Sequence, residues 1–128
     1  MVIDSSALVA ILQKEPERDH LIARIDADPV RLLSVVSLVE TASVIEARFG
    51  YEGGRDLDRL VAQSSIEIVP VDEDQGTMAR EAYRRFGKGR HPARLNLGDC
   101  FAYALAKTTG ESLLFKGTDF ALTDIVVA

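Results

Sequence analysis

Asp4, Glu40, Asp99 and Asp119 are the residues whose type and placement best suit chemistry in this sequence. Asp4 closes the β-rich run Met1-Val2-Ile3, Glu40 follows the run Leu32-Leu33-Ser34-Val35-Val36 by four residues, and Asp119 follows Ser112-Leu113-Leu114-Phe115. Asp99 falls in the first turn of the helical run preceding that last strand. Each acid alone has a structural explanation: carboxylates favour first helical turns, and Ser37-x-x-Glu40 matches a capping box. Their surroundings argue for more. Glu40 shares a helical stripe with Val44 and Ala47, and Asp99 shares one with Ala102, Tyr103 and Ala106. Carboxylates desolvated on apolar helices are costly when unpaired, and several converging repel one another and raise their pKa values. A hard divalent cation resolves both problems. Mg²⁺ or Mn²⁺ takes oxygen ligands and keeps several waters, so three or four carboxylates without His or Cys suit it. His20 and His91, on a charged helix face and in a basic loop, read as surface residues.

The elements that must position these acids alternate between short β-rich and longer helical runs, the pattern of an α/β protein. Strands are expected at Met1 to Asp4, Leu32 to Val36, Ile66 to Val69 and Ser112 to Phe115, with Ile125 to Val127 as a final edge strand. Helices are expected from Ser5 and Ser6 through Leu12, from Pro16 to before Asp28-Pro29, and from Ser37 toward Gly50. Gly53-Gly54 then punctuates, and further helices follow from Asp56 to Ser64, Asp72 to Phe86 and Gly98 to Thr109. Strands separated by helices pair in parallel through right-handed crossovers, giving a mainly parallel sheet of four to five short strands flanked by helices. Ligands of such sheets bind beyond the C-terminal ends of the strands, where the acids fall.

The length of 128 residues suits a single domain, 1–128, and 47% apolar with 27% charged residues is ordinary globular composition. No run reaches a membrane span and the N-terminus lacks signal-peptide character, so a cytoplasmic protein is expected. Cys100 is the sole cysteine, which excludes an internal disulfide and cysteine-built metal sites. A net charge of −5 disfavours a nucleic-acid partner until it is resolved by position. Arg80, Arg84, Arg85, Lys88, Arg90 and Arg94 are opposed within their own stretch only by Glu81, a local charge of +5. The helical part reads equally well as a solvated face. Arg84, Lys88, Arg90 and Arg94 are the residues expected to hold nucleic-acid phosphates beside Asp99.

The segments Met1-Val2-Ile3-Asp4-Ser5-Ser6-Ala7-Leu8, Ser37-x-x-Glu40, Leu97-Gly98-Asp99-Cys100-Phe101-Ala102-Tyr103-Ala104-Leu105-Ala106 and Leu113-Leu114-Phe115-Lys116-Gly117-Thr118-Asp119-Phe120 together resemble a PIN domain. More narrowly, the full chain is similar to the VapC-type ribonuclease toxins of bacterial toxin–antitoxin pairs. That resemblance implies a PIN-like fold and a Mg²⁺- or Mn²⁺-dependent endoribonuclease. Its metal ligands would correspond to Asp4, Glu40, Asp99 and a carboxylate after the fourth strand. It also implies a homodimer held inactive by a cognate VapB-type antitoxin. Many family members place the fourth acid nearer the strand, where this chain has Gly117 and Thr118; Asp119 is assigned, with Asp124 as fallback. Ser5 or Ser6 would support Asp4 or a water at the cation, or cap the first helix.

The expected chemistry is phosphodiester hydrolysis by metal-activated water, without a protein nucleophile. Asp4 and Asp99 are the expected direct ligands, Glu40 a ligand, water orienter or general base, and Asp119 a direct or water-mediated contact. Two other readings compete. A receiver-like signalling domain also gathers strand-end acids around Mg²⁺ and could use Lys116 as its phosphate-pairing lysine. A catalytically inactive RNA- or protein-binding PIN module would keep the acids as structure. An antitoxin segment is expected in a groove by the first helices, with Leu8, Ile11, Leu12, Leu21, Phe49 and Tyr51 as candidate walls.

Overall fold

A computed structural model describes residues 1–128. The chain runs β1 (Val2–Ile3), α1 (Ser5–Leu12), α2 (Arg18–Ala27), β2 (Leu32–Ser34), α3 (Val35–Phe49) and α4 (Tyr51–Gln63). It continues through β3 (Glu67–Val69), α5 (Glu73–Phe86), α6 (Leu97–Thr109) and β4 (Leu113–Leu114) to a 3₁₀ turn at Phe120–Leu122. All pairings are parallel and the strand order is β3-β2-β1-β4, with Val2 opposite both Leu32 and Leu113 and Leu33 opposite Ile68. The fold is therefore α/β, a four-stranded parallel sheet flanked by helices.

Successive strand residues face opposite sides of a sheet, and here each side has its own core. Val2 and Leu113 face α5 and α6, packing with Ala79, Ala82, Phe86, Tyr103 and Leu105. Ile3, Leu33 and Leu114 face the other way, onto Leu8, Ile11, Leu21, Ile25 and Leu57 of α1, α2 and α4. Burial on both faces explains why strands of two or three residues suffice and why β1 carries no polar residue before Asp4.

Several boundaries differ from the sequence pattern, each for a local reason. Ser34, not Ser37, caps α3, its hydroxyl accepting from the Val36 amide at 3.2 Å. Ser37 is buried inside the helix, so it and Glu40 form no capping box. Gly53 and Gly54 do not interrupt the chain but lie within α4. A Cβ at Gly53 would stand 2.6 Å from Ile45 Cγ2, so the glycine is what lets α4 close against α3. The expected fifth strand reduces to a parallel bridge between Val127 and Leu113 that covers the free edge of β4. Asp72 caps α5 through the Gln75 amide at 2.8 Å instead of opening the helix.

Candidate active site

A parallel sheet sends the C-terminal end of every strand to one edge, and Asp4 is the first residue past β1. Its Oδ2 accepts from the Ser6 amide at 2.9 Å, so Asp4 itself is the α1 cap, a role the sequence pattern offered to the serines. The residue is 1% exposed, and its other oxygen, Oδ1, is buried without any hydrogen-bond partner. Glu40 comes from the second turn of α3 and accepts from Ser5 Oγ at 2.5 Å. Its carboxylate lies directly over Gly98, where any Cβ would collide with it. Asp99 is the third residue of α6 and closes a capping box with Asn96. Asp99 Oδ2 accepts from the Asn96 amide at 2.9 Å, and Asn96 Oδ1 accepts from the Asp99 amide at 2.8 Å. Asp119 stands exposed just before the 3₁₀ turn, and the segment leading to it is tied to α1 by the Lys116 amide donating to Ser6 Oγ at 3.0 Å.

Electrostatics brings the four acids into one neighbourhood. Burial pushes the Asp99 carboxyl up to about 7; the Asn96 hydrogen bond works against this, and the charges of Asp4, Glu40 and Asp119 add to it. Asp4 is raised as well, first by burial and secondarily by Glu40, against the lowering effect of the Ser6 amide. The acids do not stand closed into a finished ligand cage. They fit a hard divalent cation nonetheless: every donor is an oxygen, the mutual repulsion asks for a counter-charge, and Asp4 Oδ1 is a buried acceptor lacking a partner. Asp4, Glu40 and Asp99 could hold such an ion, with Asp119 at the open side.

Asp124, the fallback for the fourth acid, is occupied elsewhere. It accepts from Tyr103 Oη at 2.6 Å and pairs with Lys107 at 3.1 Å and Arg85 at 3.8 Å, fastening the C-terminal segment to α6. Lys116 does not point a free ammonium at the acids either; it pairs with Glu15 at 2.9 Å and Glu17 at 3.1 Å. That engagement, with β3 at the edge of the sheet and ending in Val69, removes the geometry of a receiver domain.

Arg84, Lys88, Arg90 and Arg94 are all exposed, and none forms an ion pair. The loop carrying three of them is ordered. Lys88 and Leu95 join it by backbone bonds, and His91 packs edge-on against Phe86 at 5.1 Å while its Nδ1 accepts from the Ala93 amide. His91 is thus a loop brace. Among the residues expected to wall a groove by the first helices, Leu8, Ile11 and Leu21 are core, whereas Phe49 and Tyr51 are exposed. Sequence reasoning missed Asn96 and Gly98. The Asn96-x-x-Asp99 spacing was the available signal for the cap; nothing local signals that Glu40 rests on Gly98.

Comparison with known proteins places the fold and the family. Residues 1–126 match the PIN domain family. The chain is 58% identical over 125 residues to "Ribonuclease VapC" of Mycolicibacterium smegmatis, covering 98% of this chain and 97% of that protein. It is 56% identical over 125 residues to "Ribonuclease VapC30" of Mycobacterium tuberculosis, covering 98% and 95%. Among solved structures, VapC20 of Mycobacterium tuberculosis, described as a sarcin-ricin loop cleaving toxin, superposes with a TM-score of 0.80 at 18% identity, covering 99% of this chain and 97% of that one. VapBC2 of Rickettsia felis, solved with a promoter DNA fragment, superposes with a TM-score of 0.76 at 11% identity, covering 99% and 96%. At those identities the structures speak for the fold, while the sequence relatives carry the kinship: the chain belongs to the PIN domain family, among the VapC ribonucleases.

Proposed function

We propose that this protein is the toxin of a type II toxin–antitoxin pair, an endoribonuclease that depends on Mg²⁺ or Mn²⁺. The observation that carries the reading is Asp99, raised to about 7 by burial and by three further acids, beside the unpartnered Oδ1 of Asp4. Such a cluster is expensive to maintain unless a cation resolves it. The names of the VapC relatives supply the substrate class, RNA.

A divalent cation held here would supply water activation and offset charge on the scissile phosphate. The chain's own residues then have separable tasks. Asp4 and Asp99 would hold the ion directly, each fixed by a helix cap, Asp4 through the Ser6 amide and Asp99 through Asn96. Glu40, steered by Ser5, is a third ligand or the group that orients and deprotonates the attacking water. Asp119 would hold the ion from its open side. Arg84, Lys88, Arg90 and Arg94 hold flanking phosphates. A cognate VapB-type antitoxin restrains the enzyme in the cytoplasm, and the toxin works as a homodimer; fold neighbours described as a toxin–antitoxin complex and as VapBC2 support the antitoxin partner.

The test is metal dependence with integrity checked in parallel. EDTA should abolish cleavage of RNA and excess Mg²⁺ or Mn²⁺ should restore it, while Asp4→Asn protein keeps its circular dichroism spectrum but loses both cleavage and Mn²⁺ binding. Cleavage undiminished in EDTA would refute the proposal. Intact RNA binding without Mn²⁺ binding or cleavage would establish an inactive module instead.

A further inference from the structure

A groove of about 410 Å³ runs between α5 and the start of α6. Tyr83 and Phe101 form an aromatic wall, Leu97 closes one side, and Arg80, Arg84 and Arg90 stand at its rim. The three arginines are exposed and without acidic partners, and the Arg90 guanidinium lies 5.8 Å from the centre of the Tyr83 ring. Leu97 and Phe101 also line the neighbouring apolar hollow that contains Glu40 and Gly98. One ridge of two side chains, Leu97 and Phe101, therefore separates this groove from Glu40.

We infer that the groove is a subsite for one unpaired nucleotide of the substrate, next to the bond that is cut. Its base lies against Tyr83 and Phe101, and its phosphates meet Arg80, Arg84 and Arg90. The inference rests on the ribonuclease reading and extends it from charge to base stacking. Three features select this occupant. Aromatic surface beside unpaired guanidinium groups matches a base joined to phosphate, which stacks through its face and binds through its charge. The volume lies within the range of small-molecule sites and is too small for a duplex. A base still paired and stacked in A-form RNA offers no free face to such a wall, so only a looped-out or single-stranded nucleotide can use it. An acidic peptide would satisfy the arginines but would leave the aromatic wall, and its continuity with the acids, without purpose. The subsite makes Tyr83 and Arg80 positioning residues for the substrate: they favour an unpaired nucleotide over a paired one and set its register at the metal site.

The experiment uses the full chain with Asp99→Asn, in Mg²⁺, and single-stranded RNA oligonucleotides carrying the fluorescent base 2-aminopurine at successive positions. Stacking quenches this probe. One register should be quenched on binding; adding Tyr83→Leu should remove that quench and weaken binding by about tenfold, the scale of one lost base–aromatic stack. Tyr83→Phe should rescue both, which separates a stacking role from damage to the fold. Arg80→Gln should weaken binding while leaving the quench at saturation. Absence of quenching in every register, or quenching unaffected by Tyr83→Leu, would overturn the subsite, whichever partner then proved to fill the groove. Wild-type protein that quenches the probe yet leaves it uncut in Mg²⁺ and Mn²⁺ would overturn the ribonuclease reading and leave the subsite standing.

Discussion

Asp99 shows how one residue serves structure and chemistry at different cost. Its capping box stabilises the start of α6, but its burial among acids holds the carboxyl at about 7. The folded, metal-free protein therefore keeps a proton that the unfolded chain releases near the ordinary carboxylate value. This contribution to stability is complete at pH values below the unfolded pKa and is lost as pH rises through the folded one, at about 7. In EDTA the protein should consequently melt at a lower temperature near pH 8 than near pH 5, as read by calorimetry. Mg²⁺ or Mn²⁺ should recover the loss on the alkaline side and do little on the acid side; a flat profile in EDTA would contradict the electrostatic account. Gly98 makes a second prediction at this scale. In Gly98→Ala the added methyl meets the Glu40 carboxylate, the end of a flexible side chain, which can swing away. The melting temperature should barely change while RNA cleavage falls by an order of magnitude or more, and Gly98→Ala enzyme with normal turnover would show that the position of Glu40 is immaterial.

The elements were legible where periodicity and burial agree. Val2-Ile3 ahead of Asp4, and the apolar stripe of α6 behind Asp99, announced both a parallel α/β sheet and two of its strand-edge acids. Misreadings arose where tertiary contact overrides local preference. Gly53-Gly54 reads as a break, yet the close approach of Ile45 makes glycine the residue that permits helix there. The capping-box pattern reads at Ser37 and Glu40, where a helix already begun at Val35 has Ser34 as its cap, whereas the box that forms is at Asn96 and Asp99. Asp119 and Asp124 could not be told apart by spacing, because only folding shows that Asp124 is taken by Tyr103 and Lys107. The α6 cap gives the prediction proper to this scale. Asn96→Ala removes an N-cap, which costs about 1 kcal/mol of unfolding free energy in denaturant titration. It also loosens Asp99, so Mn²⁺ affinity should fall with it; loss of stability with unchanged Mn²⁺ affinity would assign Asn96 to the helix alone.

At the scale of the whole molecule, a net charge of −5 is the sum of two opposed regions. Carboxylates gather at the sheet edge, and six basic residues lie between Arg80 and Arg94. On the proposed function this layout lets an acidic protein bind RNA, since a cation would offset one region and phosphate would meet the other. Arg90→Gln combined with Arg94→Gln should weaken RNA binding and flatten its dependence on salt by about one to two units of logarithmic slope; an unchanged slope would assign the strip to solubility. The layout also agrees with helices too short or too polar to cross a membrane. The proposed function makes the four acids the seat of metal-dependent RNA cleavage. Its most direct test is to incubate total RNA with Mg²⁺ and either wild-type or Asp99→Asn protein and map every new end. The account predicts discrete new ends with the wild type and none with folded Asp99→Asn; the same ends at the same rate from both proteins would contradict it.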